Sequence, residues 1–161
     1  MRHFLPQKSG KLINILGARG PASMQNAYGS SKAWIRNFTL ALAQEYKESG
    51  VGIFAFSPGM MVTEMLTQVE VVAGYEDRLK SFPMVVRVLG KPPEVPARKA
   101  VWLASAATDG RTGLEVQLFN PLAALASFMR DRVRRLTGRR DDPPEIEITP
   151  IPPALQFDST A

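Results

Sequence analysis

The 161-residue sequence contains no cysteine and a single histidine, His3. Without cysteine there can be no disulfide framework and no thiolate metal ligand. One histidine also argues against a histidine-built zinc site and against a histidine-based catalytic triad. We therefore predict no metal site.

Long hydrophobic runs are also absent. No stretch approaches the roughly 20 apolar residues that span a bilayer, and the start, "MRHFLPQKSG", does not resemble a signal sequence. The sequence predicts a soluble, cytoplasmic protein.

The net charge of +5 is modest, and much of the positive charge crowds one short segment. The arginines of that segment are Arg130, Arg132, Arg134, Arg135, Arg139 and Arg140. This concentration does not indicate a nucleic-acid partner. With 45% hydrophobic and 22% charged residues, the composition is that of an ordinary globular domain.

The first sixty residues show a strand, a helix and a second strand. "KLINIL" (11–16) reads as a buried strand, and the apolar residues of 27–47 recur at helical spacing, with Asn26 as a plausible cap. "VGIFAF" (51–56) is nearly all apolar, which is typical of a strand buried on both faces. This order predicts a right-handed parallel crossover.

Downstream, residues 63–90 look irregular and partly helical, and "KPPEVPARKAVWLASAA" starts a helix at its prolines. "GLEVQLF" predicts a third strand, and residues 121–136 predict an amphipathic helix beside its arginines. From Gly138 the proline-rich chain reads as an extended, mostly unordered tail.

These elements predict an α/β fold: a partial Rossmann-like, doubly wound parallel sheet of about three strands with flanking helices. The predicted division is 1–120 for the sheet domain, 121–137 for the basic amphipathic helix and 138–161 for the tail.

A tyrosine and a lysine stand four positions apart, Tyr28 and Lys32, at the head of the first long helix. Such positions lie on one face, one turn apart, so both side chains can address one small ligand. A phenol has an ordinary pKa near 10, and an ammonium about 4 Å away favours the phenolate by roughly 4 kcal/mol at an effective dielectric near 20. The alternative for this spacing alone is a solvated helix turn.

The surrounding blocks resemble the C-terminal half of the short-chain dehydrogenase/reductase family. They are "KLINIL", "AYGSSKAWIRNFTLALAQEY", "VGIFAFSPGMMVTEM" and "PPEVPARKAVWLASAATDGRTGLEV". The match runs from about residue 9 to residue 116, with the blocks in the family's order.

The resemblance implies a role for five residues. Tyr28 matches the tyrosine that exchanges a proton with the substrate oxygen, and Lys32 matches the lysine that contacts the nicotinamide ribose and lowers the tyrosine pKa. Pro58, Gly59 and Thr63 match the P-G-x-x-x-T loop that lines the nicotinamide. The implied cofactor is NAD or NADP, and the implied substrate is a small-molecule alcohol or carbonyl compound. Residues 64–89 lie where the family keeps its substrate lid.

Within that predicted lid, Arg78, Lys80 and Arg87 are candidates for contacting an acidic substrate, and a solvated face is the alternative interpretation.

The sequence departs from the family pattern at the serine that holds the substrate oxygen. Family members often carry "NISS" in the strand before the tyrosine helix, whereas this sequence has "NILG", ending at Gly17. Ser23 is a candidate substitute, and an ordinary loop serine is the alternative. Loss of such a donor commonly slows a reaction by about 10² to 10³.

The glycine-rich turn that holds the pyrophosphate of a dinucleotide is not found either, since "GARGPAS" lacks the G-x-G-x-x-G spacing. We therefore expect an N-terminally incomplete family member of low or no activity in this form.

Two other interpretations stay open. One is a non-catalytic interaction protein derived from this fold, which pairs as a homo-oligomer through the 27–47 helix, as the resemblance implies. The other assigns the basic helix from Leu122 to Arg140 to an anionic membrane surface, with packing against the sheet or a partner subunit as the alternative.

Overall fold

The computed structural model describes residues 1–17, 26–138 and 144–153. The chain divides into two compact units. The first comprises Met1–Gly59 and Pro93–Pro121, and the second comprises Met60–Pro92 and Leu122–Ala161.

Within the described ranges the secondary structure runs as follows. The helices are α1 (Phe4–Gln7), α2 (Asn26–Glu45), α3 (Glu64–Thr67), α4 (Phe82–Leu89), α5 (Glu94–Ala104) and α6 (Pro121–Leu136), with short 3-10 helices at Glu76–Leu79 and Ala106–Thr108. The strands are β1 (Lys11–Ile15), β2 (Gly52–Ser57), β3 (Gln68–Val72), β4 (Glu115–Gln117) and β5 (Glu147–Ile151).

The first unit is built on a parallel sheet with the strand order β1-β2-β4. Strand β2 lies in the middle, where Ile13 is the partner of Phe54 on one side and Ala55 is the partner of Glu115 on the other. Parallel strands require crossover connections, and α2 and α5 supply helices along these crossovers. The predicted partial Rossmann-like parallel sheet with flanking helices is confirmed.

Every residue of β2 is buried, and its side chains alternate between two apolar clusters. Ile53 packs with Ala43 of α2 and with Val51. Phe54 and Phe56 pack with Leu103 of α5 in a second cluster. A strand buried on both faces needs apolar residues at successive positions, which explains its unbroken apolar sequence.

Helix α2 turns only part of its apolar residues toward this core. Thr39 and Ala43 are buried, and the Thr39 hydroxyl donates to the Ile35 carbonyl (2.6 Å) while accepting from Asn14 Nδ2 of β1 (2.8 Å). The hydrogen bond from Asn14 ties α2 to β1.

The second unit contains α3, α4, most of α6 and a two-stranded parallel sheet. Strand β3 pairs with β5, with Gln68 opposite Glu147 and Val72 opposite Ile151. The prediction of a mostly unordered tail did not anticipate β5, because its sequence "EITPI" alternates weakly and includes a proline. The predicted division at residues 120 and 137 stays a prediction.

Across residues 1–17, 26–138 and 144–153, no helix combines the length and the apolar character that crossing a membrane requires.

Candidate active site

The carboxyl ends of β1 and β2 lie side by side in the first unit. The amide of Leu16 donates to the carbonyl of Phe56 (2.7 Å), and the hydroxyl of Ser57 donates to the carbonyl of Gly17 (3.1 Å). The amide of Leu118, just after β4, donates to the carbonyl of Ser57 (3.0 Å). In open parallel sheets this edge is where ligands bind.

Tyr28 and Lys32 lie beside this edge, near the start of α2. The Lys32 ammonium is 5.7 Å from the centroid of the Tyr28 ring and donates to the carbonyl of Ile15, the last residue of β1 (3.1 Å). The Tyr28 side chain is 47% exposed. The two side chains therefore lie close together at an exposed part of the helix, as their spacing predicts.

The space beside Gly17 is bordered by both members of this pair. A Cβ atom placed on Gly17 would lie 3.0 Å from Lys32 Cγ and 3.4 Å from Tyr28 Cε1. Any side chain at position 17 would consequently point at the tyrosine and the lysine. In this chain the position supplies no hydroxyl, and Ser23, the candidate substitute, lies outside the described residues.

Pro58 and Gly59 continue the chain directly after Ser57 at the end of β2. Pro58 is buried, whereas Gly59 is exposed, has φ +79°, and has no atom within 4 Å of the position that a Cβ would occupy. This left-handed conformation favours glycine and leaves open space beside the bend.

Thr63, the last residue of the predicted P-G-x-x-x-T pattern, belongs to the second unit. It precedes α3, and its carbonyl accepts from the amides of Leu66 (2.8 Å) and Thr67 (3.0 Å). Four of the five predicted site residues thus lie in the first unit, and Thr63 lies in the second, immediately before α3. Their catalytic and cofactor roles stay predictions.

An ion pair that sequence reasoning missed fixes α2 to the sheet. Arg36 binds Glu115 of β4 through two hydrogen bonds, from Nε (2.8 Å) and from Nη2 (2.6 Å). The hydrogen bond to Glu115 raises the pKa of Arg36 above its ordinary value. The two residues are 79 positions apart, so no local pattern signals the contact.

The cations of the predicted lid have partners within the second unit. Arg78 lies over the ring of Tyr75, with its guanidinium carbon 5.5 Å from the centroid, and Lys80 pairs with Asp77 (2.9 Å) on the surface. Arg87 is mostly buried and pairs with Asp131 of α6 (2.9 Å). These contacts favour a structural interpretation of Arg87 over one in which it contacts substrate.

Metal-binding side chains do not converge in the part of the chain that the structure describes, where no group of three or more histidine or carboxylate residues is placed to hold an ion.

Comparison with known proteins connects this arrangement to one family. Residues 1–71, which include Tyr28, Lys32 and the 58–63 segment, match the family model described as short chain dehydrogenase. An acetoacetyl-CoA reductase of Cupriavidus necator is 32% identical over 68% of this chain and 44% of its own length. Glucose 1-dehydrogenase 2 of Bacillus subtilis is 32% identical over 65% of this chain and 40% of its own length.

The fold comparison agrees. The crystal structure of a variant of actinorhodin polyketide ketoreductase with NADPH superposes with a TM-score of 0.61, at 19% identity, over 74% of this chain and 49% of that one. This likeness shows the fold alone. The chain spans less than half the length of the curated relatives it matches here. The family recognised from the sequence is confirmed, and the chain belongs to the short-chain dehydrogenase/reductase family.

Proposed function

We propose that this chain carries the proton-transfer part of an NAD(P)-dependent oxidoreductase site that interconverts an alcohol and a carbonyl compound. The observation that supports the proposal is the pairing of Tyr28 with Lys32 beside the carboxyl edge of the sheet, 5.7 Å from ring centroid to ammonium. Family membership supports the reaction class.

In the proposed reaction the Tyr28 phenol donates its proton to the substrate oxygen during carbonyl reduction and takes the proton back during alcohol oxidation. Lys32 positions this group, because its ammonium is fastened to the Ile15 carbonyl and remains near the ring.

The residues around the pair suit a nicotinamide cofactor. Gly17 and Gly59 leave the sheet edge without side chains at two points, and a planar ring needs such close approach to the backbone. We propose that Tyr28, Lys32, Pro58 and Gly59 of the first unit hold the cofactor, as the family resemblance implies. For Thr63 the cofactor role rests on the resemblance alone. When bound, NAD or NADP would supply or accept the hydride.

We further propose that turnover by this chain is slow. Position 17 supplies no hydroxyl to the substrate oxygen, which commonly slows a reaction by about 10² to 10³. The 161 residues also contain no G-x-G-x-x-G turn for the pyrophosphate. Cofactor binding by the chain alone should accordingly be weak, in the millimolar range.

The experiment combines nicotinamide fluorescence with a turnover assay. Acetoacetyl-CoA with NADH or NADPH, and glucose with NAD or NADP, are suitable first substrates, since relatives bear those names. Tyr28→Phe should abolish turnover while leaving the fold intact, because the side chain is half exposed. The matched control is Tyr75→Phe, whose side chain is equally exposed at 47%.

Several results would contradict the proposal. Turnover that survives Tyr28→Phe would remove Tyr28 from the chemistry, and micromolar cofactor binding would remove the argument for a weak site. Absence of both binding and turnover at millimolar cofactor would overturn the proposal that this chain acts as an enzyme.

A second candidate function, a non-catalytic interaction protein, is favoured by one observation. Trp34 and Phe38 of α2 stack on each other with ring centroids 5.2 Å apart, yet they are 65% and 44% exposed. We propose in that case a homodimer through α2. Sedimentation should then show a dimer that nicotinamide cofactors leave unchanged and that Trp34→Ser dissociates, whereas Val101→Ser, on an equally exposed apolar residue of α5, does not.

A further inference from the structure

Helix α6 exposes a row of large apolar side chains. The members of this exposed stripe are Leu122, Leu125, Met129, Val133 and Leu136, with exposures between 55% and 81%. Helix α6 contains no buried residue. Solvent exposure of five such side chains in one row is unfavourable for an isolated molecule, and contiguous apolar patches commonly mark a binding surface.

The exposed stripe and the partly buried face of α6 lie on different sides of the helix. Successive residues differ by about 100° in azimuth, so the stripe falls within an arc of about 80°. The partly buried residues cluster on the other side of the helix, at Ala124, Ser127, Phe128 and Asp131. The helix therefore turns its less apolar face toward its own unit and its leucine face outward.

Contacts within the second unit hold α6 in this orientation. The Asp131 carboxylate accepts from Arg87 Nη2 of α4 (2.9 Å) and from Arg135 Nε (3.1 Å). Asp131 lies nearly opposite the stripe, about 160° from its centre. The orientation thus has a specific cause, since an outward rotation of Asp131 would leave the mostly buried Arg87 without this carboxylate.

Arginines border the stripe on both sides. Arg132 projects about 20° beyond one edge and Arg130 about 60° beyond the other, and both are exposed. Asp131, the acidic residue of α6, faces away. The outward surface is consequently an apolar row between positive charges.

We propose that this surface of α6 binds an anionic membrane surface, with the helix lying in the plane of the interface. The stripe would enter the boundary between headgroups and acyl chains, and the arginines would reach the acidic headgroups. At 16 residues the helix is about 24 Å long, and it is suited to lying along the interface.

The charges beside the exposed stripe favour lipid over a second copy of the chain as its binding partner. Two α6 helices packed stripe to stripe would bring Arg130 and Arg132 of both copies together, with Asp131 of each copy turned away. Like charges in close contact disfavour association. An anionic lipid surface complements the same arginines, and each contributes roughly 1 kcal/mol, or about a fivefold change in partitioning.

The test is flotation of the full chain with vesicles of phosphatidylcholine, with and without one third phosphatidylserine. The chain should bind the anionic vesicles, and raised salt should weaken binding by screening the arginines. Leu125→Gln/Met129→Gln should reduce partitioning by at least about tenfold, because the apolar anchor is lost. Arg130→Gln/Arg132→Gln should reduce it by roughly thirty-fold.

The matched control for charge is Arg98→Gln/Arg111→Gln, which removes two exposed arginines of the first unit and leaves α6 unchanged. This control should retain binding within about twofold. Failure of the unaltered chain to bind anionic vesicles, or an equal loss in the control, would overturn the proposal. So would a sedimenting dimer without lipid binding that Leu125→Gln/Met129→Gln converts to a monomer, since the occupant would then be a second copy.

Discussion

Strand β2 and helix α6 are both rich in apolar residues, but they occupy opposite extremes of burial. All six residues of β2 are buried, whereas α6 has none that is buried and exposes an entire apolar row. Strand β2 has β1 and β4 beside it and a helix cluster on each face. Helix α6 is held on one face, where Asp131 pairs with Arg87.

The difference shows that apolar content alone does not determine burial. A strand with partners on both edges and both faces has every apolar side chain removed from water by its own chain. A helix held on one face by Phe128, by small side chains and by an ion pair leaves its leucines exposed and able to bind another surface. The first arrangement stabilises the fold, and the second provides a surface for binding.

The largest difference in stability is expected between one substitution in β2 and one in α6. Phe54→Ala, at a fully buried position of β2, should lower the free energy of unfolding by about 3–5 kcal/mol, through lost burial and a cavity. Leu125→Ala, at a 60% exposed position of α6, should change it by less than about 0.5 kcal/mol. Denaturant unfolding followed by circular dichroism measures both. Equal losses would show that α6 is part of the core.

The next largest effect is expected at the ion pair between Arg87 and Asp131, which holds α6. Asp131→Asn leaves Arg87, whose side chain is 13% exposed, without its carboxylate. The free energy of local opening of α4 and α6 should fall by about 2–3 kcal/mol. Hydrogen exchange in α4 and α6 should therefore accelerate. Asp77→Asn, in a pair with both side chains at least 75% exposed, is the matched control and should change exchange little. Unchanged exchange in Asp131→Asn would mean that other contacts orient α6.

Two substitutions at Gly17, which follows β1 closely, distinguish an effect of the hydroxyl on turnover from an effect of the added Cβ. Gly17→Ser returns a hydroxyl to a position that faces Tyr28 and Lys32, and should raise turnover by about 10² if that hydroxyl binds the substrate oxygen. Gly17→Ala introduces the same Cβ, 3.0 Å from Lys32 Cγ, without the hydroxyl. An equal rise in both variants would assign the effect to the backbone instead.

The smallest effect is expected at the pair between α2 and β4. Glu115→Gln removes the charge that binds Arg36, and should cost about 1–2 kcal/mol because the arginine remains partly solvated. The folded-state pKa of Arg36 is raised. Its contribution is therefore complete below the ordinary arginine pKa and is lost only as the pH rises through the higher folded value. Between about pH 6 and pH 10, Arg36 should therefore add no pH dependence to the difference in free energy of unfolding between the unaltered protein and Glu115→Gln. A pH dependence due to Arg36 in this range would contradict the raised folded-state pKa.

The sheet of the first unit was predictable because its signals are local. The strand predicted at 51–56 lies at Gly52–Ser57, and the helix predicted at 27–47 lies at Asn26–Glu45. The helix predicted at 121–136 has those bounds. Strand β5 was not anticipated, because its pairing with β3 joins residues nearly 80 positions apart and depends on no local period.

The candidate site was predictable in part for the same reason. Tyr28 and Lys32 meet because four residues make about one helical turn. Other contacts follow from tertiary packing, which no spacing reveals: the Lys32 bond to the Ile15 carbonyl, and the approach of Gly17 to both side chains.

Because β2 lies in the centre of its sheet, hydrogen exchange at its amides can serve as an internal reference for the dynamics of the chain. Strand β2 pairs with β1 over residues 52–56 and with β4 over residues 55–57, and all its residues are buried, so its amides should exchange with deuterium chiefly when the sheet opens. The labelling rate of residues 52–57 therefore reports global opening. Residues elsewhere in the chain that label faster than this must open by local movement.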